Sequence, residues 1–441
     1  MKFLFKILLL LTFNLSLICT LQGQEVNILH SGADPSGSSD NSTIINKLID
    51  SLYAVGGGVL VVPEGKYLLH DAIILKSNIH LKGENMDKSI FFRQENEGNW
   101  ANTKNQALIT TVPSTINKNI TLENIGVDGR FAKNATGAKG GICLRNCTNS
   151  SIRNVSTTNT WHGVAFYDFK GENSQNTISG VVSQNAHAFT SKNNSGRPRG
   201  ILTMDNGSKV IGSKSIGAGT GFFADGNNIT FIGNHAENWF EDNGYYLIVN
   251  DLTVLNCSAK GGPSPEKGFG SGFAIAYKKG ALIENSIAEN CSNYGFRIHV
   301  PQSETQLINN KALGCGIGFG IETASHPFPE VSNQLFFSKN IAVESGLHGF
   351  LFRQMSNSEV VNNKAVNGNQ RGVTLSTRGA FALKEFVSNT TFKENECTDT
   401  QATKTQLYGF YDFSVNQIEQ VEKRGKNNLI QHKSKTGIDE F

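Results

Sequence analysis

One glycine-led phrase, Gly-apolar-x-apolar-x, returns ten times in the second two-thirds of this 441-residue chain, and its spacing leaves few folds open. Copies begin at Gly141 (GICLR), Gly163 (GVAFY), Gly200 (GILTM), Gly221 (GFFAD), Gly244 (GYYLI), Gly272 (GFAIA), Gly295 (GFRIH), Gly318 (GFGIE), Gly349 (GFLFR) and Gly372 (GVTLS). The steps from 221 to 244, 272 to 295, 295 to 318 and 349 to 372 are each 23 residues, and the longer steps carry loop insertions. A fixed period of this length is the mark of a solenoid.

A second phrase, N-x-apolar-x-N-x-x-Ala, precedes the glycine phrase, as in NNITFIGNHAEN from Asn227, ALIENSIAENC from Ala281, TQLINNKALGC from Thr305 and SEVVNNKAVNGN from Ser358. Short length, period-2 alternation and Asn/Gly punctuation predict strands, because successive side chains of a strand point to opposite faces. Two or three such strands per coil, closed by tight turns, give an all-β parallel β-helix in which neighbouring coils bury one another's apolar faces. The 46 glycines against 9 prolines suit a chain made of turns.

The opening MKFLFKILLLLTFNLSLICTLQGQ has a lysine-bearing start and an apolar run from Ile7 to Cys19, then small and polar residues. It reads as a secretory signal over residues 1–23, cleaved near Gly23, which places the mature protein in the periplasm or outside the cell. Asn14 and Ser16 interrupt the run and it is short for a membrane span. Ile18 stands before Cys19, where a lipoprotein signal wants a small residue, which argues against a lipid anchor. Without Lys2 and Lys6 the formal charge of +3 becomes +1, so any attraction for a polyanion has to be local. No nucleic-acid partner is implied, and a monomer is expected. Six cysteines remain: Cys143, Cys147, Cys257, Cys291, Cys315 and Cys397. Export would permit disulfides, but Cys257, Cys291 and Cys315 fall at similar places in separate coils and read as a column of small buried side chains.

Ahead of the coils, Asp40 or Ser42 can cap a helix through about Tyr53, with Ile44, Ile45, Leu48, Ile49 and Leu52 on one face. Gly56, Gly57 and Gly58 stop it, and the strands VLVVP and KYLL follow. Such a helix would close the open end of the solenoid and cover strand edges that otherwise recruit other chains. We therefore expect a cap region at 24–62, coils through 416 and a polar tail over 417–441.

The words SGADPSGSSDNSTIINKLID, GGGVLVVPEGKYLL and LKSNIHLKGE resemble the opening of the pectate-lyase-3 or glycosyl-hydrolase-28-like group of the pectin-lyase-like superfamily. The resemblance covers the first quarter of the mature chain, and the coils extend it. It implies a single-stranded right-handed parallel β-helix of a bacterial carbohydrate-active protein. It does not fix the chemistry, since the superfamily includes lyases, hydrolases, epimerases and phage tailspikes.

In each glycine strand the residues one and three after Gly should face inward and those two and four after it outward. The inward set includes Ile142, Leu144, Phe273, Ile275, Phe296, Ile298, Phe319, Ile321, Phe350 and Phe352, a packed core. The outward set runs Arg145, Tyr167, Met204, Asp225, Tyr246 with Ile248, Ala274 with Ala276, Arg297 with His299, Gly320 with Glu322, Leu351 with Arg353, and Thr374 with Ser376. With rungs about 4.8 Å apart, His299, Glu322 and Arg353 form a column beside Arg297. The bland reading is a solvated charge ladder; the sharper one is a site, with Gly320, Ala274 and Ala276 as a shallow floor. Loops would supply walls: His187, Lys192, Arg197 and Arg199 in one insertion, KGGPSPEKGFGSG in another, and His326 after Glu322. His162 and His348 directly precede strand glycines and read as turn caps. Glu241 and Asp242, adjacent in a turn, make a poor catalytic pair.

A basic groove with a histidine suits an anionic glycan. In β-elimination on a uronate, Arg353 or Arg297 would neutralise the carboxylate, His299 would take the C5 proton with Glu322 holding its ring, and Tyr246 or Tyr277 would protonate the oxygen leaving C4. A sugar as leaving group makes a polysaccharide lyase and water makes an oligosaccharide dehydratase; both leave a 4,5-unsaturated uronate. Enzymes of both kinds that resemble this superfamily act in algal-glycan breakdown, so ulvan- or alginate-like substrates are implied. Arg145, Tyr167, Asp225, Tyr277, His326, Lys192, Arg197 and Arg199 are the candidate substrate contacts. Pectate-lyase relatives bind Ca²⁺ through several aspartates on this face, whereas only Asp225 faces out here, so no cofactor is expected. The polygalacturonase series Asn-Thr-Asp, Asp-Asp, Gly-His-Gly and Arg-Ile-Lys is not intact. The alternatives are a hydrolase using Glu322 with Glu330 or Asp225, a uronate C5-epimerase, and a non-catalytic adhesin.

Overall fold

The computed structural model describes residues 24–93, 107–130, 140–167, 174–187, 197–262, 270–299, 301–322, 331–371, 379–403, 405, 408–414, 430–434 and 437–440. Each coil contributes three parallel strands, exemplified by Thr230–Ile232, His235–Glu237 and Tyr245–Asn250. Every one pairs in register with its counterpart in the next coil: Phe231 with Val254, Ala236 with Ala259, and Leu247 with Ile275. The chain is a right-handed parallel β-helix.

Two sequence devices close each coil. The turn between the first and second strands places Asn256, Asn285, Asn309 or Asn362 at a φ of 52 to 57°, a left-handed conformation that asparagine tolerates better than most residues. The next residue then points inward. Asn310, Asn340 and Asn363 each donate their side-chain amide to a backbone carbonyl of the preceding coil, at 2.9, 2.7 and 2.9 Å. Asn340 and Asn363 also accept the backbone N–H of the preceding asparagine at 3.0 Å. Buried amides are thereby paired coil by coil, which a solenoid interior requires.

The second device joins the two sequence phrases. A Cβ on Gly295 would come within 2.7 Å of the Ala312 Cβ, and one on Gly318 within 2.6 Å of the Ala342 Cβ. The glycine therefore presses on the alanine of the N-x-x-Ala phrase. The ladder skips it: Tyr294 pairs with Ile317 and Phe296 with Phe319 on either side of the glycine pair. One residue later the rings of Phe222, Tyr245, Phe273, Phe296, Phe319, Phe350 and Phe381 form a continuous stack with centroids 4.5 to 4.9 Å apart.

Phe381 corrects one expectation. The strand that follows Phe350 in this ladder is Gly379–Lys393, whose Phe381 pairs with Phe350, so the phrase at Gly372 is not the next rung. Thr374 and Ser376 lie outside the described residues. The cysteines need a second correction. All six in the described chain are free and buried, but Cys257 replaces an asparagine of the inner ladder, receiving the Asn234 N–H at 3.4 Å. Cys291 and Cys315 instead occupy the turn before the glycine strand, each with its thiol directed at a carbonyl of that turn.

At the N-terminal end, helix α1 (Ser42–Ala54) buries Ile45, Ile49 and Leu52 against the first coils, with Ile44 and Leu48 packed beside them. Asn41 is its N-cap without a side-chain bond; Asp40 instead accepts the backbone N–H of Ser42 and of His70, both at 2.9 Å. Strands Gly58–Val62 and Gly65–Leu69 follow as expected. The signal segment lies outside the described residues. Of the expected polar tail, Ile430–Ser434 runs parallel to Tyr408–Ser414 and Gly437–Glu440 turns back on it. Among the described residues no helix is long and apolar enough to cross a membrane.

Candidate functional site on the outer face of the glycine strands

The outward positions of the glycine strands are fixed by register. Tyr246 pairs with Ala274, Ala274 with Arg297, Arg297 with Gly320 and Gly320 with Leu351. Two residues along, Ala276 pairs with His299 and His299 with Glu322. Arg353 is the equivalent position in the next coil, and it pairs with Lys384 in the coil after. His299, Glu322 and Arg353 thus stand in the expected column, and Lys384, absent from the sequence reading, extends it.

The column does not bond as expected. Glu322 forms an ion pair with Arg297 rather than orienting the His299 ring. His299 is largely covered, and its Nδ1 is buried without a hydrogen-bond partner. Burial, reinforced by the Arg297 charge, pulls the imidazole down to about 3, so it is neutral at physiological pH. Its ring neighbours are Tyr246 and Tyr277, at centroid distances of 6.2 and 5.8 Å. Burial, helped by Tyr277 and Asp242 and opposed by Arg197 and Arg297, holds the Tyr246 hydroxyl above its ordinary value. Tyr277 is 43% exposed at φ 58°, a conformation bulky residues avoid and functional sites retain.

The expected shallow floor is filled. Ala274 and Ala276 are fully covered, and the Tyr294 ring lies over Gly320, where a Cβ would come within 2.4 Å of its Cε1. Burial, then the neighbouring Glu322 carboxylate, raises the Tyr294 hydroxyl far above its ordinary value. Tyr294 was missed because the glycine resets the strand alternation: the residue before it faces out with the second and fourth residues after it. His162 and Arg199 hold that same preceding position. His162 Nδ1 accepts the Arg199 backbone N–H at 3.2 Å, a bond between paired strands of adjacent coils in place of the turn cap expected of it, and the Arg199 guanidinium lies 3.5 Å above the Phe223 ring centroid.

Arg197 reaches buried Asp242 at 2.7 Å, so Asp242 is an anchor for a loop cation. Arg145 and Tyr167 occupy the expected column but six and five rungs before His299, roughly 29 and 24 Å away at about 4.8 Å a rung; the register that sets this runs Arg145, Tyr167, Met204 and onward. Asp225 is three rungs away. These three do not join the His299 cluster. Lys192, His326 and Glu330 lie outside the described residues. Among the described residues no group of three or more His, Cys, Asp or Glu side chains could hold a metal ion.

Comparison with known proteins agrees with this architecture. The family described as "Rhamnogalacturonase A/epimerase, pectate lyase-like" matches residues 25–260, and "Right handed beta helix region" matches residues 199–342. Mannuronan C5-epimerase AlgE2 of Azotobacter vinelandii is 32% identical over 73 residues, which is 15% of this chain and 7% of that protein. The catalytic unit of a GH87 α-1,3-glucanase from Streptomyces thermodiastaticus superposes with a TM-score of 0.59 at 12% identity, over 84% of this chain and 68% of that one. The surface adhesin PfbA of Streptococcus pneumoniae superposes with a TM-score of 0.57 at 15% identity, over 83% of this chain and all of that one. At such identities these two structures speak to the fold alone.

Proposed function

The chain belongs to the rhamnogalacturonase A/epimerase, pectate lyase-like family, and from that premise we propose that it is a carbohydrate-active enzyme that abstracts the C5 proton of a uronate in an anionic glycan and eliminates the group at C4. The observation that carries this reading is His299, whose Nδ1 is buried without a partner, near two tyrosine rings and beside Arg297. An orphaned polar atom of this kind costs free energy unless a ligand completes it.

A neutral imidazole has a lone pair to offer, but one pulled down to about 3 is a weak base. A substrate carboxylate changes this: its negative charge beside the ring and on Arg297, whose Nε has no partner, raises the proton affinity of His299 as the Michaelis complex forms. The same ion pair withdraws charge from the carboxylate and acidifies C5–H. The C5 proton passes to His299, the C4–O bond breaks as the C4=C5 double bond forms, and the Tyr246 hydroxyl gives its proton to the departing oxygen. Solvent then restores both residues. With a sugar leaving, the enzyme is a lyase; with water leaving from a terminal uronate, a dehydratase. The step uses no metal ion. The same reading takes residues 1–23 as an export signal and the working unit as a monomer outside the cytoplasm.

C5-epimerisation is the second reading. It shares the proton abstraction and returns a proton to the opposite side of C5, and it is favoured by the two tyrosines near the His299 ring and by the 73-residue likeness to a mannuronan C5-epimerase. The deciding experiment incubates the protein with alginate, ulvan, polygalacturonate and their oligomers in D₂O, following unsaturated-uronate absorbance, product mass and deuterium at C5. Absorbance with chain cleavage establishes a lyase, and absorbance with loss of one water a dehydratase. Deuterium without absorbance establishes an epimerase. Cleavage without either moves the assignment to a hydrolase, and no change leaves a glycan-binding protein.

A further inference from the structure

Beyond His299 the column carries two cations on adjacent rungs, Arg353 opposite Lys384. Like charges directly opposite one another in a sheet destabilise it, so the pair needs an explanation. Protein carboxylates supply it only in part. Glu322, the neighbour that would naturally neutralise Arg353, is engaged with Arg297. Glu385 is 3.7 Å from Arg353, beyond hydrogen-bond range, and its side chain is 42% exposed. Among the described residues Lys384 forms no ion pair, and the Arg353 Nε is buried with no hydrogen-bond partner. Two cations thus stand on adjacent rungs with a single ion pair, Arg353 to Glu385, to neutralise them.

We infer that Arg353 and Lys384 form an anion subsite that takes a second carboxylate or sulfate of a polyanionic glycan, two to three rungs from the reacting sugar at His299. The inference rests on the uronate reading above and specifies its substrate class. Two to three rungs at about 4.8 Å are roughly 10 to 14 Å, more than one monosaccharide covers. The ligand is therefore an oligosaccharide with anionic groups on at least two of its sugars. The guanidinium offers a planar fork and the ammonium a point charge, a combination that accepts either a carboxylate or a sulfate ester. Burial, then Arg353, holds the Lys384 ammonium below its ordinary value, with Glu385 opposing; a bound anion would reverse that shift.

The test is calorimetric titration of the full-length protein with galacturonate and mannuronate monomers, their tetramers and inorganic sulfate, using wild type, Lys384→Gln and Lys384→Arg. The expected result is at least a 10-fold loss of tetramer affinity in Lys384→Gln, no change for the monomers, recovery in Lys384→Arg, and sulfate binding that disappears only in Lys384→Gln. Unchanged tetramer and sulfate binding in Lys384→Gln, or no binding of either by wild type, overturns the subsite. Lys384-dependent sulfate binding without turnover of any uronate supports the subsite and rejects the uronate reading. Uronate turnover with the same KM for every chain length in wild type and Lys384→Gln does the reverse.

Discussion

Glu322 lies directly beside His299 in the ladder, yet its carboxylate serves Arg297, one rung back and two residues along. The arrangement leaves the His299 Nδ1 without a hydrogen-bond partner and, on the function proposed above, holds the guanidinium that meets the substrate carboxylate. Glu322→Gln should strand the Arg297 charge, whose side chain is 10% exposed. A fully buried broken pair costs about 3–5 kcal/mol; with Glu322 partly exposed, about 1–3 kcal/mol is expected. Urea unfolding of the variant reads this directly, and a midpoint equal to wild type would show the pair to be mere decoration.

His299→Gln keeps the ring's approximate volume and removes the proton acceptor. The loss expected in kcat is about 10²- to 10⁴-fold, with near-native stability. Because the free enzyme's imidazole titrates near 3, kcat/KM should show no histidine limb between pH 5 and 7. A limb centred near 6.5 would mean that the ring is hydrated and ordinary.

The same depressed histidines set an acid sensitivity. Burial, then the Arg199 charge, pulls His162 down to about 3, as burial and Arg297 do for His299. An unfolded histidine takes up its proton near pH 6.5, while these two stay neutral in the fold until about pH 3. The unfolded state therefore binds more protons in between. Stability is whole above pH 6.5 and falls as the pH drops toward 3, by at most about 1.4 kcal/mol per pH unit for each ring. Unfolding free energies at pH 7 and pH 5 should differ less in His162→Gln than in wild type.

The coil itself was legible because alternation and turn chemistry repeat: residues one and three after the glycine do fill the core at Gly141, Gly272, Gly295, Gly318 and Gly349. The site was legible only where alternation holds unbroken. His299, Glu322 and Arg353 lie two strand steps beyond the reset at the glycine and were found, whereas Tyr294 lies before it and was assigned to no face. Lys384 was missed for a different reason. GVTLS at Gly372 satisfies the 23-residue step, but the ladder pairs Phe350 with Phe381 in the following phrase. Periodicity cannot choose between tandem copies; the register of the ring stack does. Which cation a carboxylate selects among equidistant neighbours is likewise set by rotamers, so the Glu322 to Arg297 pairing leaves no trace in spacing.

The ring stack should dominate stability. Phe319 is fully buried, with Phe296 and Phe350 at 4.8 and 4.9 Å on either side, so Phe319→Ala removes two ring contacts and opens a cavity. Such truncations cost about 3–5 kcal/mol. In a structure whose coils meet only their neighbours, the damage should be local. Hydrogen exchange of the variant should quicken in coils around Phe296 and Phe350 while Ile45 and Ile49 of the cap stay protected; uniform loss of protection would show that the solenoid unfolds as one unit.

Tyr277 offers the sharpest separation of stability from function. Its φ of 58° and 43% exposure are both unfavourable for a large ring in a fold that otherwise gives left-handed turn positions mainly to asparagine. Asparagine adopts that conformation at lower cost, so Tyr277→Asn should stabilise the protein by about 0.5–1 kcal/mol, the scale of relieving one strained residue. The ring's place beside His299 gives the reason for keeping it, as a wall against which a sugar is held. The variant should therefore melt higher than wild type while KM for the uronate oligomer rises about 10-fold or more. A variant that is more stable and equally active would remove Tyr277 from the binding surface and leave Tyr246 alone beside His299.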